Sequence, residues 1–245
     1  MTRLTVEPVP GLPEIGPGDD LSALIATAGV PVGDRDVVVV SQKAVSKAEG
    51  RVVRLADVTV GPEALDLARR LGKEPELVQL VLDESAEVLR AERGVLIVRT
   101  RGGLVCANAG VDRSNLPGTD SACLLPVDPD ASARRLRAAL PGRPAVVVAD
   151  SLGRAWRLGQ ADVAIGCAGL APLDDRRGSA DHEGRPLEAS VDAVADQAAA
   201  AAALVRDKAG RDAVVVIRGL DRYITDDDGP GAAAIVRPRA EDLFT

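Results

Sequence analysis

A carboxylate and a hydroxyl stand side by side at Asp150 and Ser151, directly after the apolar run at residues 145–149. Five consecutive apolar residues predict a buried strand, so we expect this pair at the end of that strand, at an open edge. Hard divalent cations prefer oxygen ligands of this kind. The sequence therefore predicts a metal site at this point of the chain.

Three arginines follow and could bring positive charge to the same site. Arg154 and Arg157 lie in the segment DSLGRAWRLGQ, and Arg177 precedes the segment GSADHEGR. Guanidinium groups bind phosphates and carboxylates through paired hydrogen bonds. We expect these arginines to hold a phosphate or a substrate carboxylate, and Asp150 and Arg154 are the catalytic candidates. Composition weakens this argument, because only four of the 30 basic residues are lysine and arginine is therefore the usual basic residue throughout the chain.

Two further segments carry polar residues after predicted strands. In SQKAVSKAEG, residues 41–50, Lys47 could reach a phosphate as a point charge, although a solvated loop is the alternative interpretation. Asp112 follows Gly110, which permits unusual backbone angles, and is either a second metal carboxylate or a turn aspartate. Together with Asp150 and Ser151 it would suit one or two octahedral cations that hold the phosphates of a nucleotide.

Other reactive residue types are given no catalytic role. His182 is expected at the surface or behind the site, residues 226–228 (three aspartates) in a solvated loop, and Glu84, Ser85 and Glu87 on a structural helix. The chain contains no GxxxxGK[ST], GxGxxG or HExxH motif. A nucleotide would therefore bind outside the familiar phosphate loops.

Composition excludes several classes of protein. The net charge of −7 argues against nonspecific nucleic-acid binding. No apolar stretch approaches the roughly 18 residues of a membrane span, and the first 20 residues show no secretory pattern. The three cysteines form no CxxC pair, which is typical of reduced thiols in a cytoplasmic protein. With 46% apolar but only 1% aromatic residues, the core must consist mostly of Ala, Val and Leu.

Strands and helices are mixed without a strict βαβ rhythm, which favours an α+β fold over a doubly wound sheet. We expect one domain over residues 1–245. The patterns predict helices at residues 21–28, 62–71, 75–90 and 130–140 and from an N-cap at Ser190 to Arg206, and strands at residues 36–41, 95–100, 104–107, 145–150, 163–169 and 214–218.

Four motifs resemble the coenzyme F-420:L-glutamate ligase family, the γ-glutamyl ligases of the deazaflavin coenzyme, in the same order along the chain. They are VVVSQKAVSKAEGR, CANAGVDRSN, DSLGRAWRLGQADVAIGCAGL and RRGSADHEGRPLEASVDAVADQAAAAAALV. The opening PVPGLPEIGPGDDL and the closing IVRPRAEDLF support the resemblance. It implies the γ-glutamyl ligase-like fold, with two closely associated subdomains, and a cytoplasmic homodimer.

The resemblance also implies a reaction. Such ligases use GTP and Mg²⁺ or Mn²⁺, with K⁺ as a further candidate ion, to join L-glutamate to the lactyl carboxylate of the deazaflavin F-420 precursor. The route implied is an acyl phosphate that the glutamate amine attacks, after which further glutamates are added through γ-linkages.

The resemblance assigns roles by position. Asp112, Asp150 and Ser151 match metal ligands. The positions that match nucleotide contacts are an N-terminal segment and three later residues: Leu12, Pro13, Glu14, Ile15, Gln42, Lys47 and Asn115. For Lys47, the resemblance therefore favours a nucleotide contact over a place in a solvated loop.

One departure leaves alternatives open. Where relatives carry Gly with Gln or Glu after the Ala-rich helix, this chain has Lys208, so Asp207, water or one ion fewer would complete the metal shell. The alternatives are a nucleotide- or deazaflavin-binding module that acts with a reductase partner domain, and a metal-dependent phosphohydrolase. Because some relatives carry a C-terminal reductase, both a standalone ligase and a ligase domain of a longer protein are compatible with the sequence.

Overall fold

Strands and helices follow one another without a regular βαβ order, which confirms the α+β prediction. The computed structural model describes residues 3–116, 118–207 and 212–242. Its helices are α1 (Leu21–Thr27), α2 (Gln42–Ala48), α3 (Pro62–Leu71), α4 (Pro75–Asp83), α5 (Pro129–Ala139) and α6 (Val194–Val205). Its strands are β1 (Thr5–Pro8), β2 (Asp36–Ser41), β3 (Val52–Arg54), β4 (Ser85–Glu92), β5 (Val95–Thr100), β6 (Val105–Ala107), β7 (Ser121–Cys123), β8 (Ala145–Arg154), β9 (Arg157–Ala168), β10 (Asp174–Asp175), β11 (Val191–Asp192) and β12 (Val214–Arg218).

The largest sheet has five strands in the order β1-β12-β2-β8-β9. Strands β2 and β8 pair in parallel from Val37 opposite Ala145 to Ser41 opposite Ala149, and the other pairs are antiparallel. The central strands are valine-rich runs with no exposed surface at Val38 or Val147, as expected for a sheet covered on both faces.

Alternate residues of these strands face two separate hydrophobic layers. Val38 and Val148 pack with residues of α1, α2 and α5 on one face. Val39 and Val147 pack with the alanines of α6 on the other. Successive side chains of a strand point to opposite faces of the sheet. Because both faces of this sheet are covered, residues that point to either face must be apolar, which explains the unbroken apolar runs.

A smaller part of the fold lies beside this sheet. It contains the three-stranded sheet β4-β5-β6, the two-stranded ribbon β3-β7 and the helices α3 and α4. Its residues form their own hydrophobic clusters, distinct from the two layers of the large sheet. The smaller part therefore has apolar packing of its own, and the two closely associated subdomains stay a prediction from the resemblance.

The helix predicted at residues 75–90 is wrong in its second half. Helix α4 ends at Asp83, and residues 85–92 form β4, where Val88 pairs with Val98 of β5. The apolar spacing fits a helix, but hydrogen bonding to the neighbouring hairpin decides the outcome. Ser85 and Glu87 therefore lie on a strand, where Glu87 accepts from Arg239 at 3.0 Å.

Two other predicted boundaries are corrected. Ser190 is not the N-cap of α6: residues 191–192 pair with β10, and the helix begins at Val194 after Ala193. Strand β8 does not end at Asp150, because β8 and β9 continue as an antiparallel hairpin beyond the end of β2. Asp150 and Ser151 thus lie within a strand, at the point where its parallel partner stops.

The acidic run at residues 226–228 is not simply a solvated loop. The guanidinium of Arg137 is 4% exposed; its Nη1 donates to Asp228 Oδ1 at 2.8 Å and its Nη2 donates to the carbonyls of Thr225 and Asp226. The run therefore binds both Nη atoms of a buried cation of α5, which is a structural role.

The cysteines and helices agree with the compositional expectations. Cys106, Cys123 and Cys167 are free and buried. Within the described residues, every helix is too short or too polar to cross a bilayer.

We predict that Gly166→Ala destabilises the fold by about 1–3 kcal/mol or more, because an added Cβ would lie 2.2 Å from the carbonyl oxygen of Pro129, where β9 meets α5. Gly153→Ala, in the same hairpin, is the matched control, since its Cβ would meet no atom within 4 Å. Urea unfolding of both variants checks this. Equal unfolding free energies would show that the β9–α5 contact can relax.

Candidate active site

A cavity of about 1080 Å³ opens where β2 ends and β8 continues. Helix α2 leaves β2 at this edge, so its side chains enter the same cavity as those of β8. Most of the predicted site residues line it: Pro13, Glu14, Ile15, Gln42, Lys47, Asp112, Asn115, Asp150 and Ser151. Leu12 does not, since it is 4% exposed within the hydrophobic layer next to α1.

Asp112 is held by Lys43, a residue that the sequence analysis did not select. Lys43 Nζ lies 2.6 Å from Asp112 Oδ2 and 2.7 Å from the carbonyl oxygen of Ser114. Burial alone would raise the pKa of Asp112, but hydrogen bonds from Lys43 and Ser114 outweigh it and lower that pKa. The available signal was the spacing of Lys43 and Lys47, which are four residues apart and share one face of a helix.

Lys47 connects two walls of the cavity. Its Nζ lies 2.5 Å from Glu14 Oε1 in the N-terminal segment and 2.8 Å from the carbonyl oxygen of Asn115. The segment that carries it is helix α2 and not a solvated loop. With only 8% of the residue exposed, Lys47 is a cation held inside the cavity wall.

Gln42 stabilises the start of α2. Its amide nitrogen donates to Ser46 Oγ at 2.6 Å and to the carbonyl of Leu124 at 3.1 Å. These bonds join the helix to the chain that follows β7. A nucleotide contact at Gln42 stays a prediction.

Asp150 is a carboxylate in a poorly solvated, acidic environment. Burial raises its pKa to about 6; the negative charges of Asp162 and Asp112 add to this, while the backbone N–H of Ser151 opposes it. That N–H donates to Asp150 Oδ1 at 2.9 Å. Asp150 thus carries a negative charge at neutral pH that the protein alone compensates incompletely.

Ser151 belongs to a buried chain of polar groups that sequence reasoning missed. Its Oγ donates to Asp162 Oδ1 at 2.5 Å, and Asp162 Oδ2 accepts from Arg206 Nη1 at 3.1 Å. Asp162 lies directly opposite Ser151 in the β8–β9 register. Only the prediction of a continuous hairpin would have brought these two residues together.

The predicted arginines lie elsewhere. Arg154 and Arg157 are exposed at the tip of the β8–β9 hairpin, and Arg154 donates to the carbonyl of Leu158. Arg177 is exposed and pairs with Asp175 at 2.5 Å. Neither these arginines nor the exposed His182 line the cavity, so their positions do not support the expected grip on a ligand there. The cations in its described wall are Lys43, Lys47 and Arg206.

The carboxylate oxygens of the cavity are suitable ligands for a hydrated hard cation. Among residues 3–116, 118–207 and 212–242, no three His, Cys, Asp or Glu side chains form a ready-made metal group. Two carboxylates and a hydroxyl, at Asp112, Asp150 and Ser151, would leave the remaining positions to water, which Mg²⁺ commonly retains. Lys208, the departure noted above, lies outside the described residues.

Comparisons with known proteins match the sequence of this chain to one family. The model of the family described as F420-0:gamma-glutamyl ligase covers residues 11–219. The chain belongs to this family. It is similar to three proteins named coenzyme F420:L-glutamate ligase. That of Methanothermobacter thermautotrophicus is 43% identical, over 96% of each chain. That of Methanopyrus kandleri is 40% identical, over 100% of this chain and 98% of the relative, and that of Halobacterium salinarum is 44% identical, over 90% and 88%.

The raised pKa of Asp150 predicts that the metal-free protein loses stability as the pH rises. Because the folded pKa of about 6 exceeds the ordinary aspartate value of 3.8, protonated Asp150 stabilises the fold below pH 4, and this contribution is lost as pH rises through 6. Asp150→Asn lacks this loss and should be more stable than the parent at pH 7.5, by at most about 3 kcal/mol.

Urea unfolding in EDTA at pH 7.5 and pH 4 measures this difference, with Asp57→Asn, an exposed carboxylate paired with Arg54, as control. The advantage of Asp150→Asn should shrink towards pH 4. A difference that is the same at both pH values would contradict the assignment.

Proposed function

We propose that this protein joins L-glutamate to the deazaflavin F-420 precursor, using GTP and Mg²⁺ or Mn²⁺. The observation that carries the proposal is a cavity in which Asp112, Asp150 and Ser151 stand beside Lys43 and Lys47, in a chain of the γ-glutamyl ligase family. The names of its relatives supply the substrates. The cytoplasmic homodimer and a K⁺ ion remain predictions from the resemblance.

The charge of the cavity supports a divalent cation. Its described walls carry six acidic side chains and three basic ones, a formal excess of three negative charges: Glu14, Asp112, Asp150, Asp162, Asp207 and Asp212 against Lys43, Lys47 and Arg206. Both a nucleoside triphosphate and glutamate are anions. They would be repelled unless a divalent cation bound first and reduced the local negative charge.

The chemistry proposed is activation of a carboxylate. The carboxylate oxygen of the precursor attacks the γ-phosphorus of GTP, which releases GDP and forms an acyl phosphate. The glutamate amine then attacks the acyl carbon, inorganic phosphate leaves, and the nitrogen loses a proton to give the amide. A divalent cation would neutralise the phosphate charges during the transfer.

The residues of this chain would act by position and charge. Lys47 would exchange Glu14 for a phosphate oxygen, since both are anionic partners of a held ammonium group. Asp112 and Asp150 would hold the cation with Ser151. Residues 13–15 lie beside Lys47 and would cover the nucleotide.

The direct test is a mass-spectrometric assay with purified protein, F-420 precursor, L-glutamate, GTP and Mn²⁺, with each component omitted in turn. We expect a mass gain of one or more glutamyl units that requires every component. Asp150→Asn should lower the rate by about 100-fold or more, the scale seen when charge stabilisation worth roughly 3 kcal/mol is lost. Asp57→Asn should keep the parent rate.

The two alternatives give different results in this assay. Hydrolysis of GTP without glutamate addition would indicate a phosphohydrolase. Binding of precursor or nucleotide without turnover would indicate a binding module that needs a partner. Either outcome would overturn the proposed ligase activity.

Lys47→Ala should raise the Michaelis constant for GTP by about tenfold, a loss of roughly 1.4 kcal/mol in binding, because one phosphate contact disappears. The turnover number should change much less. Lys73→Ala is the control, because Lys73 does not line the cavity. Steady-state kinetics with varied GTP measures both constants; an unchanged Michaelis constant would contradict the role of Lys47.

A further inference from the structure

The hydrogen-bond chain from Ser151 through Asp162 to Arg206 runs from the cavity wall into the central sheet. Asp162 is 6% exposed, and the side chain of Arg206 is 10% exposed. Arg206 Nη2 donates at 3.2 Å to the carbonyl of Val39 in β2. The carboxylate of Asp162 is therefore fixed at one oxygen by a cation that is itself anchored to the sheet.

The direction of the hydrogen bond defines what Ser151 presents to the cavity. A hydroxyl has one proton, and an ionised carboxylate only accepts. Asp162 Oδ1, at 2.5 Å, therefore accepts the hydrogen bond that the Ser151 hydroxyl donates. Towards any other group, the Ser151 oxygen acts as an acceptor, which is the state that a cation requires of a ligand.

We propose that Asp162 is a positioning residue, which turns the hydroxyl proton of Ser151 away from the bound divalent cation so that the oxygen lone pairs face it. The inference rests on the metal site of the proposed function. It assigns to Asp162, with Arg206 behind it, a role in metal affinity through Ser151.

Asp162 is placed to act through Ser151 and not as a direct metal ligand. One of its oxygens accepts from Ser151 and the other from Arg206. Burying such an ion pair costs desolvation energy that an apolar pair would avoid, so stability alone does not favour it in the wall of a cavity. Groups that hydrogen-bond to metal ligands typically change metal affinity by 10–100-fold when they are removed.

The substitution Asp162→Asn reverses the polarity of the bond. Its single carbonyl oxygen is expected to accept from the charged Arg206, which turns the amide NH₂ towards Ser151. The amide would then donate to the Ser151 oxygen and compete with the cation for a lone pair. We expect the dissociation constant for Mn²⁺ to rise about tenfold or more.

The experiment measures Mn²⁺ binding to the full chain by electron paramagnetic resonance of the free ion, without substrates. The parent is compared with Asp162→Asn, Ser151→Ala and the double variant, and Asp66→Asn, an exposed carboxylate on α3, is the matched control. If Asp162 acts through Ser151, the double variant should bind Mn²⁺ as weakly as Ser151→Ala alone. Multiplied effects of the two substitutions would overturn the inference, as would an Asp162→Asn constant within twofold of the parent value.

Folding is controlled separately. Circular dichroism melts without metal report whether Asp162→Asn folds, since an unpaired Arg206 could destabilise it. If it does not fold, Asp162→Ala combined with Arg206→Gln removes both charges and the acceptor that Asp162 offers to Ser151, and it is expected to lose Mn²⁺ affinity to a similar extent; parent-like affinity would overturn the inference.

The outcome is separable from that of the ligase assay. Parent protein that binds Mn²⁺ in the expected pattern but adds no glutamate would overturn the proposed function and support the role of Asp162. If the parent adds glutamate but Asp162→Asn leaves the Mn²⁺ affinity unchanged, the proposed function is supported and the role of Asp162 is overturned. Parent protein that binds no Mn²⁺ would overturn the inference.

Discussion

The parallel pairing of β2 with β8 is the constraint on which the site depends. Parallel strands bring their carboxyl ends to one edge, and the register sets Ser41 opposite Ala149. Beyond this point β2 turns into α2, which carries the lysines, while β8 continues with Asp150 and Ser151. A shift of one residue would turn every valine of the run to the other face and exchange the directions of Asp150 and Ser151. Core packing therefore also fixes the geometry of the candidate site.

Acidic side chains cluster at the same edge, and the neighbouring lysines neutralise only part of their negative charge. Lys43 and Lys47 pair with Asp112 and Glu14, whereas burial and neighbouring acids raise the pKa of Asp150. A carboxylate held in this way destabilises the protein at neutral pH, and perturbed groups of this kind cluster at functional sites. The physical cause of the instability is also what makes the edge attractive to a cation.

The β8–β9 hairpin extends the site beyond the reach of the parallel pair. Cross-strand pairing places Asp162 opposite Ser151, and α6 ends where Arg206 can contact Asp162 and the carbonyl of Val39. Three elements that are distant in sequence thus meet in one buried network. The exposed arginines at the hairpin tip take no part in it.

The sequence by itself determined the family and those elements whose signal is local. Strands β2, β5 and β12 and helix α3 have the predicted bounds, because unbroken β-branched runs and a first-turn proline act on neighbouring residues. It also selected Asp112, Asp150 and Lys47, which line one cavity. Its apolar spacing did not identify residues 85–92 as a strand, because that spacing also fits a helix and the pairing with β5 decides between the two. Only tertiary structure decided the partners Lys43 and Asp162, because a hydrogen bond between residues remote in sequence depends on register, and register is set by the packing of the whole sheet.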